Sequence, residues 1–590
     1  MKINLAHLSI KTVLVSLVLI GCSSTQKTPT PASGLIVSSF ANPHRQDYVM
    51  TGKKYAIATQ GILSTKAATE ILNKGGNLID AFVAASFSIS VERPHSTGIG
   101  GGGFLVFYKA DTKETIVIDF RERAPHKAGR DMYLDKQGNY IDDLSTDGSL
   151  SVAVPGLVKG LWEIHRKYGK LKWSDVLAPS IKIADEGFFV YPDLERALAH
   201  RKDVLVKFPD SKKIFIKSDG SSYKVGDVLV QKDLASTLKA IAKNGEKEFY
   251  QGTTAKKIAQ FVKKTGGIMT ENDLRRYKTM ARVPVESNFL KYKIISMPPP
   301  SSGGTHVIQF LKLLEKETWT PMEMNSAKAI HYQASAFQMA FADRAQYLGD
   351  PDFVKVPTAE LISDAYLNQR KKEIVMDKAR SANEVRHGSF EQKKESTETT
   401  HMSLLDKDGN AISSTQTING WMGSGAVATG TGILLNNEMD DFSAKPGTPN
   451  LYGAIGSDAN AIAPFKTPLS SMSPTIVLDE TGRPIMSVGA PGGTRIISCT
   501  ALTIFNHLYF KQSLENSVKN IRIHHQWQPD TLFIEQPGPA PKELEKLKAM
   551  GYKIELGGIP CRVMSAALDT NNSEFTAVAD PRDIGTAAAE

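Results

Sequence analysis

Residues 399–419 read TTHMSLLDKDGNAISSTQTIN. Met402, Leu404 and Leu405 fit a first strand and Ile412 a second, with the polar Asp408-Gly409 turn between them, so the stretch reads as a β-hairpin. A three-residue loop of Lys407, Asp408 and Gly409, with Gly409 in the left-handed region, places Thr399 opposite Thr417; a two-residue loop pairs Thr417 with Thr400 instead. The register carries chemistry. Threonine is a weak nucleophile without a base, and a chain cut before Thr399 would supply one in its new α-amine, with an ordinary pKa of about 7.7–8.0. On the hairpin alone the plainer reading is the stronger one, because most strand threonines are there for their β-branched shape.

Upstream, helix and strand patterns alternate from about Tyr55. Lys66–Leu72 and Asp80–Val91 read as helices separated by Gly75-Gly76, and Phe104–Lys109 and Thr115–Phe120 read as strands. A mostly helical stretch runs from Gly156 to Lys264, and Ser326–Leu348 sets Ile330, Ala334, Phe337 and Phe341 on one helical face. Residues 381–398, SANEVRHGSFEQKKESTE, form a linker by composition, placed where a cleavable bond must be reachable. Downstream, Thr475–Leu478, Pro484–Gly489 and Lys553–Leu556 read as strands, with helices after Gly493 and over Pro541–Met550.

The 590 residues carry a formal charge of +9, or +7 without Lys2 and Lys11. The lysines are scattered and not interleaved with aromatics, which excludes a nucleic-acid binder and leaves a mild attraction to anionic surfaces. Lys2 and Lys11 precede a short apolar run, Thr12–Ile20, too short to span a bilayer and laid out as an export signal over residues 1–21. Leu19-Ile20-Gly21-Cys22 resembles a bacterial lipobox, so Cys22 is expected to be lipidated, with residues 22–45 as a polar tether; an ordinary signal peptide with an incidental cysteine is the alternative. Ser23 matches the pattern of outer-membrane sorting, which points to a periplasmic or cell-surface lipoprotein held to the membrane only by its lipid. Cys499 sits in an apolar run, so Cys499 and Cys561 are expected as free thiols, a disulfide being the alternative in an oxidising compartment.

The hairpin also resembles the start of the small subunit of the γ-glutamyltranspeptidase (γ-glutamyltransferase) family of N-terminal-nucleophile hydrolases. The resemblance continues through ILLNNEMDDFSAKPG from Ile433, PLSSMSPT from Pro468 and GAPGGTR from Gly489, and upstream through HSTGIGGGGF from His95 and DFRERAP from Asp119. It covers nearly everything from about residue 50 onward. It implies an α/β fold, a four-layer αββα sandwich built from two chains of one self-cleaved precursor, residues 46–398 and 399–590. It also implies cleavage between Glu398 and Thr399, with no metal or organic cofactor. The expected substrates are glutathione and other γ-glutamyl amides, with water, amino acids or peptides as acceptors.

The same resemblance assigns roles. Thr399 is the nucleophile and Thr417 orients it; the Gly492 and Gly493 N–H groups hold the tetrahedral oxyanion, where a side chain would block the approach. A γ-glutamyl group carries an α-carboxylate and an α-ammonium, so the site needs both signs of charge. Arg121 matches the carboxylate-binding arginine, with a planar fork that lysine lacks. Ser470 and Ser471 would donate to the same carboxylate, and Asn419, Glu438 and Asp441 match the ammonium-binding positions. Tyr452 lies in PNLYGAIGSDANAIAP, which resembles a lid loop. The plainer alternative for Arg121 is a surface ion pair with Glu122.

Two motifs are set aside. Gly98–Gly103 satisfies GxGxxG but follows a helix and precedes a strand, the reverse of a dinucleotide fingerprint, and reads as close backbone packing. His524-His525 are adjacent and lack a suitably spaced third ligand, so packing or hydrogen bonding is the better reading. Two other functions remain: a glutaryl (cephalosporin) acylase of the same superfamily, for which Glu438 and Asp441 would have no purpose, and an inactive surface-binding lipoprotein.

Overall fold

Along the strand that follows Thr399, Met402 and Leu404 turn to one side and His401, Ser403 and Leu405 to the other, and both sides are buried. A strand buried on both faces needs a layer on each, and this sets the architecture. The computed structural model describes residues 47–141, 143–387, 399–444 and 457–590. The expected leader and tether, Cys22, Glu398 and Tyr452 lie outside the described residues.

In chain order the strands of the two large sheets are β1 (Val49–Gly52), β2 (Tyr55–Thr59), β3 (Gly102–Lys109), β4 (Glu114–Asp119), β5 (Met280–Arg282), β6 (Val285–Phe289) and β7 (Tyr292–Ser296). After Thr399 come β8 (Thr400–Asp406), β9 (Ala411–Thr417), β10 (Thr475–Leu478), β11 (Pro484–Gly489), β12 (Met564–Asp569), β13 (Glu574–Ala579) and β14 (Thr586–Ala589). One seven-stranded antiparallel sheet runs β14-β2-β8-β9-β3-β4-β5 and the other β1-β13-β12-β11-β10-β7-β6.

Helices α1 (Ile62–Asn73), α2 (Leu78–Glu92), α3 (Leu157–Tyr168) and α4 (Trp173–Glu186) share one core with Ile57, Leu105, Met402 and Leu404. Helices α5 (Gly303–Leu314), α6 (Ala327–Tyr347) and α7 (Arg495–Leu508) share another with Ile294, Val477, Met486 and Val488. Between the sheets lie Ala56, Ala58, Phe104, Val106, Ile295, Ile476 and Ala566. This is the four-layer αββα sandwich the sequence implies. Helix α2 is buried on every side, and its N-terminus is satisfied locally by a capping box between Asn77 and Asp80.

The hairpin register resolves in favour of the three-residue loop. Thr400 pairs with Gln416 and Leu405 with Ala411, and Gly409 has φ +89°. Continued one residue back, that pairing sets Thr399 across from Thr417.

Two expectations differ from the structure. Cys499 and Cys561 form a disulfide: Cys499 lies on α7, Cys561 lies in the chain leading into β12, and both are fully buried in one core with their Cα atoms 6.7 Å apart. An apolar setting for Cys499 did not exclude a partner arriving from 62 residues away. Residues 381–387, assigned to a loose linker, are docked. Ala382 and Val385 are buried, and Trp527 Nε1 donates to both of their carbonyls at 2.9 and 2.7 Å. Their polar neighbours hid two apolar anchors. Among the described residues no helix is long and apolar enough to cross a membrane.

Candidate active site

Thr399 directly precedes β8 at the end of the central hairpin and is 4% exposed. Thr417 closes β9, and its Oγ1 accepts the Asn419 N–H at 2.8 Å. Asn419 turns the chain with φ +71° and is held by its Nδ2, which donates to the Asn437 carbonyl at 3.0 Å. The glycine run that leads into and opens β3 makes this packing possible. A Cβ on Gly101 would lie 1.9 Å from the Thr417 carbonyl oxygen, and one on Gly103 would lie 2.3 Å from that of Thr415. The run is close backbone packing, as the sequence order indicates.

From the facing sheet, β11 ends at Gly489 and α7 begins at Arg495, so Gly492 and Gly493 occupy the turn between them. Gly492 has φ +131° and Gly493 φ +56°, and a Cβ on Gly492 would sit 2.8 Å from Cys561 Cβ, so only glycine fits there. Neither backbone N–H has an acceptor among the described residues. Such a pair is available to a developing negative charge.

Thr399, Thr417, Asn419, Arg121, Glu438, Asp441, Ser470, Ser471 and Gly493 line one small cleft. Gly492 borders it as the neighbour of Gly493. The cleft has room for about one water molecule, about 20 Å³, and its charged side chains pair within it. Arg121 Nη1 lies 2.6 Å from Glu438 Oε1 and Nη2 lies 2.5 Å from Asp441 Oδ2, while Nε donates to the Pro468 carbonyl at 3.0 Å. Arg121 is 1% exposed, which excludes the surface ion pair.

Burial works against the Arg121 charge, but Glu438, Asp441 and Glu122 outweigh it and its pKa rises. Burial pushes the Glu438 carboxyl well up and raises that of Asp441, with Arg121 opposing both. Ser470 Oγ accepts the Met472 N–H at 3.1 Å, and Ser471 Oγ accepts from Arg344 Nη2 at 3.1 Å.

One residue here, Arg344, escaped the sequence reading, and another, Glu122, entered it only as a surface partner. Arg344, near the end of α6, lines the cleft and is 5% exposed. Its signal was present: it continues the Phe337–Phe341 stripe at helical spacing, and a charge on an apolar stripe needs a buried partner. Glu122 is fully buried beside Arg121, and a Cβ on Gly102 would lie 2.7 Å from its Oε2. Of the decoys, His524 Nδ1 and Nε2 are engaged with Ser498 Oγ at 2.9 Å and Gln526 Oε1 at 2.6 Å, and no group of three His, Cys, Asp or Glu among the described residues could hold a metal. A larger cavity of about 790 Å³, lined by Tyr108, Pro284, Ile295 and Pro298 among others, contains none of the candidate residues.

The chain matches the γ-glutamyltranspeptidase family model over residues 64–590. It belongs to that family. It is 42% identical to the glutathione hydrolase proenzyme of Escherichia coli (strain K12), over 90% of this chain and 91% of the other. Among solved structures it resembles the cephalosporin acylase of Bacillus halodurans, with a TM-score of 0.82 at 26% identity, covering 94% of this chain and 98% of that one. It also resembles the γ-glutamyltranspeptidase of Helicobacter pylori, with a TM-score of 0.54 at 42% identity over 56% of this chain and 94% of that one.

Proposed function

We propose that this enzyme is a γ-glutamyltransferase and glutathione hydrolase that matures by cutting itself between Glu398 and Thr399. The observation that carries the substrate class is the Arg121–Glu438–Asp441 cluster in the cleft that also holds Thr399. A γ-glutamyl group is a zwitterion at its α-carbon and can insert into such a cluster. Its ammonium takes the two acids and its carboxylate takes the guanidinium and the Ser470 and Ser471 hydroxyls, so no buried charge is left alone. A glutaryl group supplies only the carboxylate and would strand Glu438 and Asp441. The similarity to a cephalosporin acylase keeps that second reading open to test.

Maturation begins with Thr399 Oγ attacking the Glu398 carbonyl. The chain shifts to an ester on Thr399, and water hydrolyses that ester to free the Thr399 α-amine. In turnover this amine takes the hydroxyl proton as Oγ attacks the substrate γ-carbonyl. The oxyanion is held by the Gly492 and Gly493 N–H groups, each such donor contributing about 2.7–4 kcal/mol to the barrier reduction. Collapse expels the amine product with the proton and leaves a γ-glutamyl ester on Thr399, which water or an acceptor amine then cleaves. Thr417 keeps the Oγ aligned. The working unit is a pair of chains, residues 46–398 with its preceding tether and residues 399–590. Export and lipidation at Cys22 rest on the sequence pattern alone, and a Cys22→Ser variant tests them by loss of fatty-acid labelling.

The decisive experiment compares γ-glutamyl and glutaryl anilides with purified wild type and Thr399→Ala. Wild type should run as two bands, the smaller starting Thr-Thr-His-Met, and prefer the γ-glutamyl anilide by about 100-fold or more in kcat/KM. Thr399→Ala should stay uncut and inactive. Preference for the glutaryl anilide would transfer the assignment to the acylase, and an active Thr399→Ala would end the mechanism.

A further inference from the structure

Ser470 and Ser471 can hold a carboxylate only if their O–H bonds point at it. A hydroxyl has one proton and two lone pairs, so what it accepts decides where it donates. Ser470 Oγ accepts the Met472 N–H, and Ser471 Oγ accepts Nη2 of Arg344, whose guanidinium can only donate. Neither bond consumes the serine proton. Arg344 also donates through Nε to Ser302 Oγ at 3.0 Å, and Ser302 in turn donates its Oγ–H and its N–H to the Ser470 carbonyl, each at 2.8 Å. Gly303, which opens α5, is pressed on the same turn: a Cβ there would lie 2.2 Å from Ser473 Oγ and 2.8 Å from the Ser471 carbonyl oxygen.

One guanidinium therefore grips both the serine turn and the helix start that supports it. The charge arrangement points the same way. Arg121 has both terminal nitrogens on carboxylates in the cleft, and Arg344, whose charge also acts on Asp441, donates to the serine turn on the other side of it.

We infer that Arg344 is a positioning residue for substrate recognition: it fixes Ser471 as a donor toward the substrate α-carboxylate and places a second buried positive charge behind that carboxylate. The inference rests on the γ-glutamyl reading above and extends it to a residue contributed by the segment before Thr399. Lysine cannot replace the grip, since a single ammonium nitrogen cannot serve Ser302 and Ser471 as the two ends of a planar fork do.

The test is a double-mutant cycle on the self-cleaved enzyme with a γ-glutamyl anilide, using Arg344→Met, Ser471→Ala and their combination, with Arg344→Lys alongside. Each single variant should raise KM about tenfold or more while changing kcat much less, the size expected for a lost charge-assisted hydrogen bond. If Arg344 acts through Ser471, the double variant should be hardly worse than the poorer single one. Arg344→Lys should recover part of the affinity. Inhibition supplies a second readout: L-glutamate should bind Arg344→Met at least about tenfold more weakly, and 4-aminobutyrate, which lacks the α-carboxylate, should bind both enzymes alike.

Losses that multiply in the double variant, or equal weakening of both inhibitors, would overturn the inference. Should Arg344→Met fail to fold and cleave, Arg344→Lys and Ser302→Ala carry the same inhibitor comparison, and an unchanged L-glutamate affinity in both would overturn it. A wild type inactive on γ-glutamyl anilide would instead overturn the functional reading on which this stands.

Discussion

Glu122 is the residue whose setting is hardest to reconcile with an ordinary carboxylate. It is fully buried and shares its surroundings with Arg121, Glu438 and Asp441. Burial pushes its pKa up to about 7, even with Arg121 pulling it down. The folded protein therefore keeps a proton that the unfolded chain surrenders near the usual 4.5, and stability must fall as pH rises from there through about 7. A Glu122→Gln variant, neutral at every pH, should lose that part of the fall. Measured by thermal unfolding at pH 5 and pH 8, the variant should gain on wild type at the higher pH. An identical difference at both values would show that Glu122 does not hold the proton.

Among the elements, the contact between the glycine run and β9 is the most demanding. A Cβ on Gly101 would meet the Thr417 carbonyl oxygen at 1.9 Å and Ile418 Cγ2 at 2.9 Å, so backbone must move. Displacing a residue that orients a nucleophile by about 1 Å costs on the order of 100-fold in rate. Gly101→Ala should thus lower kcat by about that factor, while Gly129→Ala, whose Cβ would meet nothing within 4 Å, should be neutral. Full activity of a folded Gly101→Ala protein would mean the contact does not set Thr417. Elements of this kind were legible from sequence where period and punctuation agreed. Thr475–Leu478 and Pro484–Gly489 match their strands residue for residue, and Asp408-Gly409 marked the hairpin turn while leaving its register open between a two- and a three-residue loop. What escaped was long-range. Arg344 looked like one charge on a core helix, Cys561 lay far from Cys499, and Ala382 and Val385 were outnumbered by polar neighbours. Their partners come from Ser471, α7 and Trp527, and no local pattern encodes such meetings.

On the scale of the whole molecule, the proposed cut falls between β7 and β8, yet neither sheet divides there. The nucleophile sheet takes β2, β3, β4 and β5 from before the cut and β8, β9 and β14 from after it; the facing sheet takes β1, β6 and β7 from before and the other four from after. The hairpin that carries Thr399 is flanked on both sides by strands of the earlier segment, β2 and β3. Separating the pieces would break whole ladders and open three hydrophobic cores, so cleavage should leave one particle. The disulfide cannot be what holds it, because Cys499 and Cys561 both follow the cut. The processed enzyme should elute from a sizing column as a single species with the mass of both pieces, and its denaturing gel should show two bands with or without reductant. Two separate species on the column would contradict the interleaved sheets. One band that splits only under reductant would contradict the cysteine pairing.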